Sequence, residues 1–490
     1  MLTPEKAGVS SRSIQTYIQT LEQRGLSTHS LILAKGDDVF FEAAWAPFSL
    51  EQPHRLYSVS KSIVSLAVGF ACQDGLLSLD DPMEKCFPDE LRNQKSPYIK
   101  KQTVRDMLMM STTRAARNWF TARCDDRVKL YFEDIEGENI RPAGTIFQYD
   151  SSGSFVLGAL VERVTGMPFM DYLRGKLFDK IGVSESAHCL KCPGGHSWGD
   201  SGVLLAPMDL YKIARFVMNG GSWNGEQLLN REYVDAAVKK QIDTNFSGLD
   251  AYDTQGYGYQ IWRTYDNSFF FNGMGCQFAV CVPDKDLIMV YNADNQGKEG
   301  AQELVIRTFF ERIARPASAQ ALPEDAQAFA QLKQTAAGLK LAAARGATQS
   351  DWAARVNGVT YIADENPMGI TKFTLRFDGN RGVFAYTNAQ GDKELPFALG
   401  ENAFGFFPQT GYSDLVGSQS APGHQYRCAA SAAWIEPHKL FLKVQIIDDY
   451  LGTLEIVISF KGDTFGMYMQ KTAEDFLDEY VGFAGGHIAR

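Results

Sequence analysis

The chain has no window of about 18 apolar residues, so no membrane-spanning helix is expected. Its first residues, Met1-Leu2-Thr3-Pro4-Glu5-Lys6, lack a basic start followed by an apolar stretch, so no secretory leader is expected and a cytoplasmic address is. Runs of Lys and Arg are missing too. With 48 basic against 58 acidic side chains the net charge is −10, which argues against a nucleic-acid partner. Cysteine is sparse, 8 in 490 residues, which excludes a disulfide-stapled scaffold. Histidine is rarer, at 7, and no Ser-His-Asp set can be assembled from it. Gly-x-x-x-x-Gly-Lys-Ser/Thr and His-Glu-x-x-His are both absent, which removes the usual signatures of a P-loop and a zinc peptidase. Cys189-x-x-Cys192 with His188 and His196 has metal-ligand spacing, but it has no second half and Pro193-Gly194-Gly195 reads as a turn. No metal or cofactor is expected.

What is present is a chain that is 45% hydrophobic, enough to bury a large core, and long enough for two or three domains. Residues 1–315 mix helical and strand patterns. Helical spacing covers 9–24, 58–73, 104–110, 154–165, 169–181, 207–219 and 302–315. A hairpin is expected over 29–45, and strands over 256–263, 268–272, 277–281 and 287–292. Strands at both ends with helices between them predict a layered α/β domain closed by antiparallel pairing. Residues 316–350 read as a Pro/Ala/Ser linker followed by an Ala-rich helix over 324–345. From 351 to 490 short strands follow one another, clearest at 371–377, 383–388, 426–434, 439–447, 453–460 and 465–470. That spacing predicts a small antiparallel barrel or sandwich.

Ser58-Val59-Ser60-Lys61 is the only Ser-x-x-Lys in the chain. With 30 serines and 24 lysines, chance alone gives about 1.5 such matches, so the context must carry the reading. Ser58 stands where an apolar helix begins, and Ile63, Val64, Leu66, Ala67, Val68 and Phe70 bury that helix. The i, i+3 spacing puts Lys61 beside Ser58, one turn on. An amine in apolar surroundings loses solvation and can act as a base, and the helix N-terminus offers free amides to an oxyanion. The alternative is a serine cap on a core helix whose lysine reaches out to water.

Tyr57-Ser58-Val59-Ser60-Lys61-Ser62, followed by Gly75-Leu76-Leu77-Ser78-Leu79-Asp80-Asp81-Pro82, resembles the serine β-lactamase/penicillin-binding-protein superfamily. The style is that of its class C-like esterases, D-aminopeptidases and nylon-oligomer hydrolases. The resemblance continues through residues 103–111, Phe147-Gln148-Tyr149-Asp150-Ser151, 256–262 and Gly273-Met274-Gly275-Cys276-Gln277, in the expected order. It implies a β-lactamase-like domain over 1–315, with an antiparallel sheet flanked by helices. More loosely, it implies a lipocalin-like β-barrel over 351–490.

Carried over position by position, the resemblance implies Ser58 as nucleophile, with Lys61 and Tyr149 sharing general base and acid work. A free tyrosine titrates near ~10, so it needs such a neighbour to act at neutral pH. The oxyanion hole would be the backbone N–H groups of Ser58 and Met274, next to Gly273, with Asn272 and Ser151 at the substrate. Asp150 and Ser151 would orient the Tyr149 loop, and Gln277 would form strand hydrogen bonds. Trp119, Phe120, Trp198, Tyr257 and Tyr259 are candidates for a substrate pocket, against the simpler reading of core aromatics.

Two departures shape the functional expectation. Where β-lactamases carry Lys-Thr-Gly, this chain has Phe271-Asn272-Gly273, without a cation, and Tyr149-Asp150-Ser151 stands in place of Tyr-x-Asn. The expectation is a metal-independent serine hydrolase acting on a small-molecule or peptide ester or amide. The rivals are a β-lactamase or D,D-peptidase and an inactive scaffold of the same fold. Assembly with copies of itself stays open.

Overall fold

The computed structural model describes residues 2–122, 124–135, 141–244, 250–410, 425–474 and 476–489. Those up to Lys340 form one compact unit and those from Leu341 a second.

The first unit is built on a six-stranded sheet in the order Asp38–Ala44, Thr28–Lys35, Leu287–Ala293, Gln277–Val282, Phe269–Gly273 and Trp262–Arg263. Every neighbouring pair is antiparallel. The expected hairpin and the expected strands at 268–272, 277–281 and 287–292 are all in it. Period-2 alternation divides its side chains between two helical layers. Leu31, Leu33, Phe278, Val280, Met289 and Tyr291 share a core with Ile14, Tyr17, Ile18 and Leu21 of the helix Ser11–Gln23, and with Val305, Ile306 and Phe309 of Ala301–Phe309. On the opposite face Cys281 Sγ lies 3.9 Å from the Ala214 carbonyl, in the helix Pro207–Met218. Covered on both sides, Leu287–Ala293 is buried at every position.

A second helical layer carries the helices Val59–Gln73 and Ser151–Thr165, which pack on each other. Residues 59–71 are all buried, so this helix has no solvent face along most of its length. Gly158 faces this contact: a Cβ there would lie in ordinary van der Waals contact, 3.6 Å from Val64 and 3.7 Å from the Gly199 backbone.

The strand expected over 256–263 shrinks to Trp262–Arg263. Gln260 has φ +58°, and its amide and side chain bond the Leu108 and Met107 carbonyls, so this stretch spends its hydrogen bonds on a loop instead of a ladder. The Ala-rich helix runs over Ala326–Ala337 and packs on Ser11–Gln23, with Gln15 Nε2 donating to Thr335 Oγ1 at 2.9 Å. Residues 316–340 therefore belong with the first unit and do not form a free linker.

The second unit is a closed barrel of nine strands, adjacent in the order Gly391–Leu399, Arg381–Asn388, Lys372–Asp378, Thr360–Ala363, Gly482–Ile488, Thr464–Ala473, Leu451–Lys461, Lys439–Ile447 and Arg427–Glu436. A short parallel pairing closes it, Ala398 with Ser431 and Leu399 with Ala432. Ala403–Phe406 adds an outer strand on Arg427–Glu436. Phe373, Phe384, Phe397, Phe460 and Phe465 are buried, and the Tyr386 and Tyr480 hydroxyls meet at 2.8 Å. The six strands expected here are all present. Thr360–Ala363, Gly391–Leu399, Ala403–Phe406 and Gly482–Ile488 were not expected: the second holds Pro396 and three charges, and the last holds three glycines in seven residues.

Candidate active site

The strand His54–Arg55 pairs with Val203–Leu205 and delivers the chain to a tight turn at Tyr57, whose φ is +48°. A bulky residue rarely adopts that region, and strain of this kind persists only where the surroundings impose it. Here the Arg55 guanidinium lies 4.8 Å from the Tyr57 ring centroid, and the ring is buried. The helix Val59–Gln73 starts at once, so Ser58 sits at its N-terminus.

His54 is part of this support. Its Nδ1–H donates to the Arg55 carbonyl at 2.9 Å and its Nε2 meets His29 Nδ1 at 2.8 Å. Burial pulls its pKa down to about 4. The unfolded chain therefore binds this proton more readily, and the stability present above pH ~6.5 is lost as pH falls toward 4. The unfolding free energy from denaturant titrations is expected to drop on that interval by an amount approaching 3 kcal/mol, and His54→Gln should flatten the slope. An unchanged slope in His54→Gln would show that other groups cause it.

Lys61 does not reach out to water. It is 2% exposed, and its Nζ donates to Ser58 Oγ at 2.9 Å and to the Asp200 carbonyl at 2.7 Å. The same Nζ lies 5.1 Å from the centroid of the Tyr149 ring, which stacks on Trp262 at 5.8 Å. Tyr149 is 37% exposed, and among the described residues its hydroxyl has no partner. Asp150 fixes the approach to it by capping the helix Ser151–Thr165. Its Oδ1 accepts from the Gly153 amide at 3.0 Å and its Oδ2 from Thr112 Oγ1 at 2.8 Å, and burial pushes its carboxyl above the ordinary range. Ser151 opens that helix half-buried, its hydroxyl unbonded among the described residues.

The strand Phe269–Gly273 ends against the Ser58 segment: a Cβ on Gly273 would lie 2.2 Å from the Leu56 carbonyl oxygen. Beyond it Gly275 and Cys276 turn with φ of +76° and +75°. Gln277 clamps that turn. Its Nε2 donates to the Met274 carbonyl at 3.1 Å, and its Oε1 accepts from Asn292 Nδ2 at 3.1 Å. Among the described residues the amides of Ser58 and Met274 have no acceptor. Asn272, half-buried beside them, has a buried Oδ1 without a partner.

Some sequence candidates lie elsewhere. Trp119, Trp198, Tyr257 and Tyr259 are buried core and only Phe120 is exposed, so these aromatics do not form a common pocket wall. His196 Nδ1 pairs with Glu162 Oε2 at 2.8 Å, which raises its pKa, and burial pushes the Cys189 thiol up. The described residues hold no group of three or more His, Cys, Asp and Glu side chains placed for a metal ion.

Sequence reasoning missed Asp200, a fully buried carboxyl group beside Lys61. Gly199-Asp200-Ser201-Gly202 reads as an ordinary turn, and nothing local signals a buried charge. Gln260 and Trp262 lie in the matched stretch 256–262, and it is Trp262 that stacks on Tyr149.

A hydroxyl bonded to an amine, a phenol beside that amine, and two unpaired amides at a strand end and a helix start are the parts an acyl transfer needs. The 6-aminohexanoate-dimer hydrolase of Paenarthrobacter ureafaciens is 25% identical over 294 residues, covering 56% of this chain and 74% of that protein. A putative 6-aminohexanoate-dimer hydrolase from Bacillus anthracis superposes with TM-score 0.53 at 14% identity, over 63% of this chain and 83% of that one. The octameric penicillin-binding protein homologue from Pyrococcus abyssi gives TM-score 0.50 at 15% identity, over 97% of this chain and 99% of its own. The family profile described as Beta-lactamase matches residues 14–307, more than half of the chain. The chain is a serine hydrolase that belongs to the Beta-lactamase family.

Proposed function

We propose that this enzyme hydrolyses a small, neutral ester or amide through an acyl-enzyme on Ser58. The observation that carries the reading is Ser58 Oγ held 2.9 Å from Lys61 Nζ, at a helix N-terminus whose amide has no acceptor among the described residues. Ser58 Oγ attacks the substrate carbonyl as its proton passes to the Lys61/Tyr149 pair. The developing oxyanion takes the amides of Ser58 and Met274. Collapse breaks the C–O or C–N bond, and the leaving group departs with the proton. Water then repeats the sequence on the acyl-enzyme and frees the acid. The name of the Paenarthrobacter relative, a hydrolase of an aminohexanoate dimer, supports an amide among the substrates.

Substrate charge follows from the strand Phe269–Gly273, which carries no cation. An ammonium ~4 Å from a carboxylate is worth about 4 kcal/mol at an effective dielectric of ~20, and desolvation leaves a fraction of that. Even ~1.4 kcal/mol is tenfold in rate. We expect kcat/KM for p-nitrophenyl butyrate to exceed that for nitrocefin by at least about tenfold on one preparation. A larger value for nitrocefin, with inactivation by micromolar penicillin, would make the enzyme a β-lactamase or D,D-peptidase instead.

No step of this chemistry uses a metal. Turnover is expected to survive exhaustive EDTA and phenanthroline treatment, with zinc below stoichiometric level by elemental analysis. Loss of activity on chelation, restored by zinc, would overturn this.

A further inference from the structure

Gln260 holds a left-handed backbone that residues other than glycine rarely adopt, with φ of +58°, and it is 2% exposed. Its backbone amide donates to the Leu108 carbonyl at 2.9 Å. Its Nε2 donates to the Met107 and Leu108 carbonyls at 2.9 and 3.0 Å. Those carbonyls can only accept, so this end of the side chain is the nitrogen, and Oε1 is left to accept from Ser154 Oγ at 2.6 Å. The backbone carbonyl of Gln260 accepts from Ser62 Oγ at 2.7 Å.

These partners come from both halves of the site. Ser62 follows Lys61 in the helix that begins at Ser58. Ser154 lies one turn into the helix Ser151–Thr165, whose cap, Asp150, is the residue after Tyr149. Met107 and Leu108 end the short helix Val104–Leu108. Two residues on, the Met110 carbonyl accepts from the Gln148 amide at 2.8 Å, on the other side of Tyr149. The left-handed turn is what lets one residue serve both halves: its carbonyl goes to one helix and its side chain to the other. A glycine would take that turn without strain, so the strain kept here is matched by what the side chain holds.

We propose that Gln260 is a positioning residue that fixes the separation of Lys61 and Tyr149, which stands at 5.1 Å from Nζ to the ring centroid. This role rests on the acyl transfer read above, in which the Ser58 proton passes to the Lys61/Tyr149 pair. Such a transfer needs heavy atoms about 2.6–3.2 Å apart, and a misplacement near ~1 Å can cost about 10²-fold in rate. Gln260 itself touches neither Ser58 nor Tyr149 among the hydrogen bonds of the described residues, so it acts through the two helices it joins.

The test compares wild type, Gln260→Gly, Ser154→Ala and the double variant by p-nitrophenyl butyrate kinetics, rates of fluorophosphonate labelling and thermal melts. Gln260→Gly can keep the turn and its two backbone hydrogen bonds while losing the side-chain bracket. It should lower kcat and the labelling rate of Ser58 together by about 10- to 100-fold, with KM held within about twofold. Ser154→Ala removes one hydrogen bond of the bracket and should lower both rates by about threefold to tenfold. The double variant should then fall little below Gln260→Gly, because both substitutions break the same link. A wild type that is not labelled at Ser58 would sink the acyl-enzyme reading and this role with it. A labelled wild type, with kcat unchanged in Gln260→Gly, would sink only the role of Gln260. A lower melting temperature with kcat held, read well below the melt, would mean packing alone and overturn the role as well. A raised KM with kcat held would move the residue to substrate binding, and fully multiplicative losses in the double variant would deny the shared link. Should Gln260→Gly fail to fold, Ser154→Ala decides, and an unchanged kcat there overturns the proposal.

Discussion

Ser58→Ala is expected to abolish fluorophosphonate labelling and to lower kcat/KM for p-nitrophenyl butyrate by about 10⁴-fold or more, with the melting temperature little changed. The size follows from what the residue does. Ser58 Oγ would form the covalent bond, and among the described residues no other hydroxyl is bonded to Lys61 Nζ. The neighbouring amides and Tyr149 remain in Ser58→Ala, but they can stabilise only an attack by water. The fold should tolerate the change, because Ser58 makes no side-chain cap hydrogen bond to its helix. Lost activity therefore reports on chemistry and not on helix stability. Equal labelling of the Ala variant would remove the mechanism.

A second large effect is expected at Gly273. Its φ is not in the left-handed region, so the constraint is space: the added methyl would sit 2.2 Å from the Leu56 carbonyl oxygen and 3.0 Å from Gln277 Cβ. Backbone on one side and a clamped side chain on the other cannot yield without separating Met274 from Ser58. Gly273→Ala should cost about 10²–10³-fold in kcat, the cost of losing one oxyanion donor, and about 1–3 kcal/mol of stability from overpacking. Met274→Ala keeps the backbone amide and should retain most of the activity. If Gly273→Ala kept wild-type kcat, Met274 could not be an oxyanion donor.

Several elements were legible because their signals are local. The helix Val59–Gln73 announces itself by a largely apolar stretch ending at Asp74-Gly75, and Ser58 and Lys61 are one helical turn apart wherever that helix forms. The sheet strands near 270, 280 and 290 are short and strongly apolar, and most barrel strands alternate cleanly. Where the pattern was weak, the reading failed for identifiable reasons. Gly482–Ile488 has few side chains to alternate, and it is held by its neighbours Thr360–Ala363 and Thr464–Ala473. The stretch at 256–263 has the composition of a strand, but its hydrogen bonds go to Leu108, Met107 and Ser154.

The sequence by itself determined which helix carries the Ser58/Lys61 pair, the order of the motifs around it, and the absence of a cation on the strand that faces that pair. Each of these is a property of adjacent residues, fixed by periodicity and side-chain chemistry. Only the tertiary structure decided the rest. It brought the Gly273 strand end against Leu56, buried Lys61 between Ser58 and the Asp200 carbonyl, and set an acid with an open oxygen beside it. Those arrangements join segments far apart in the chain. No propensity or spacing encodes them, because they arise from close packing and from the need of each buried polar group for a partner.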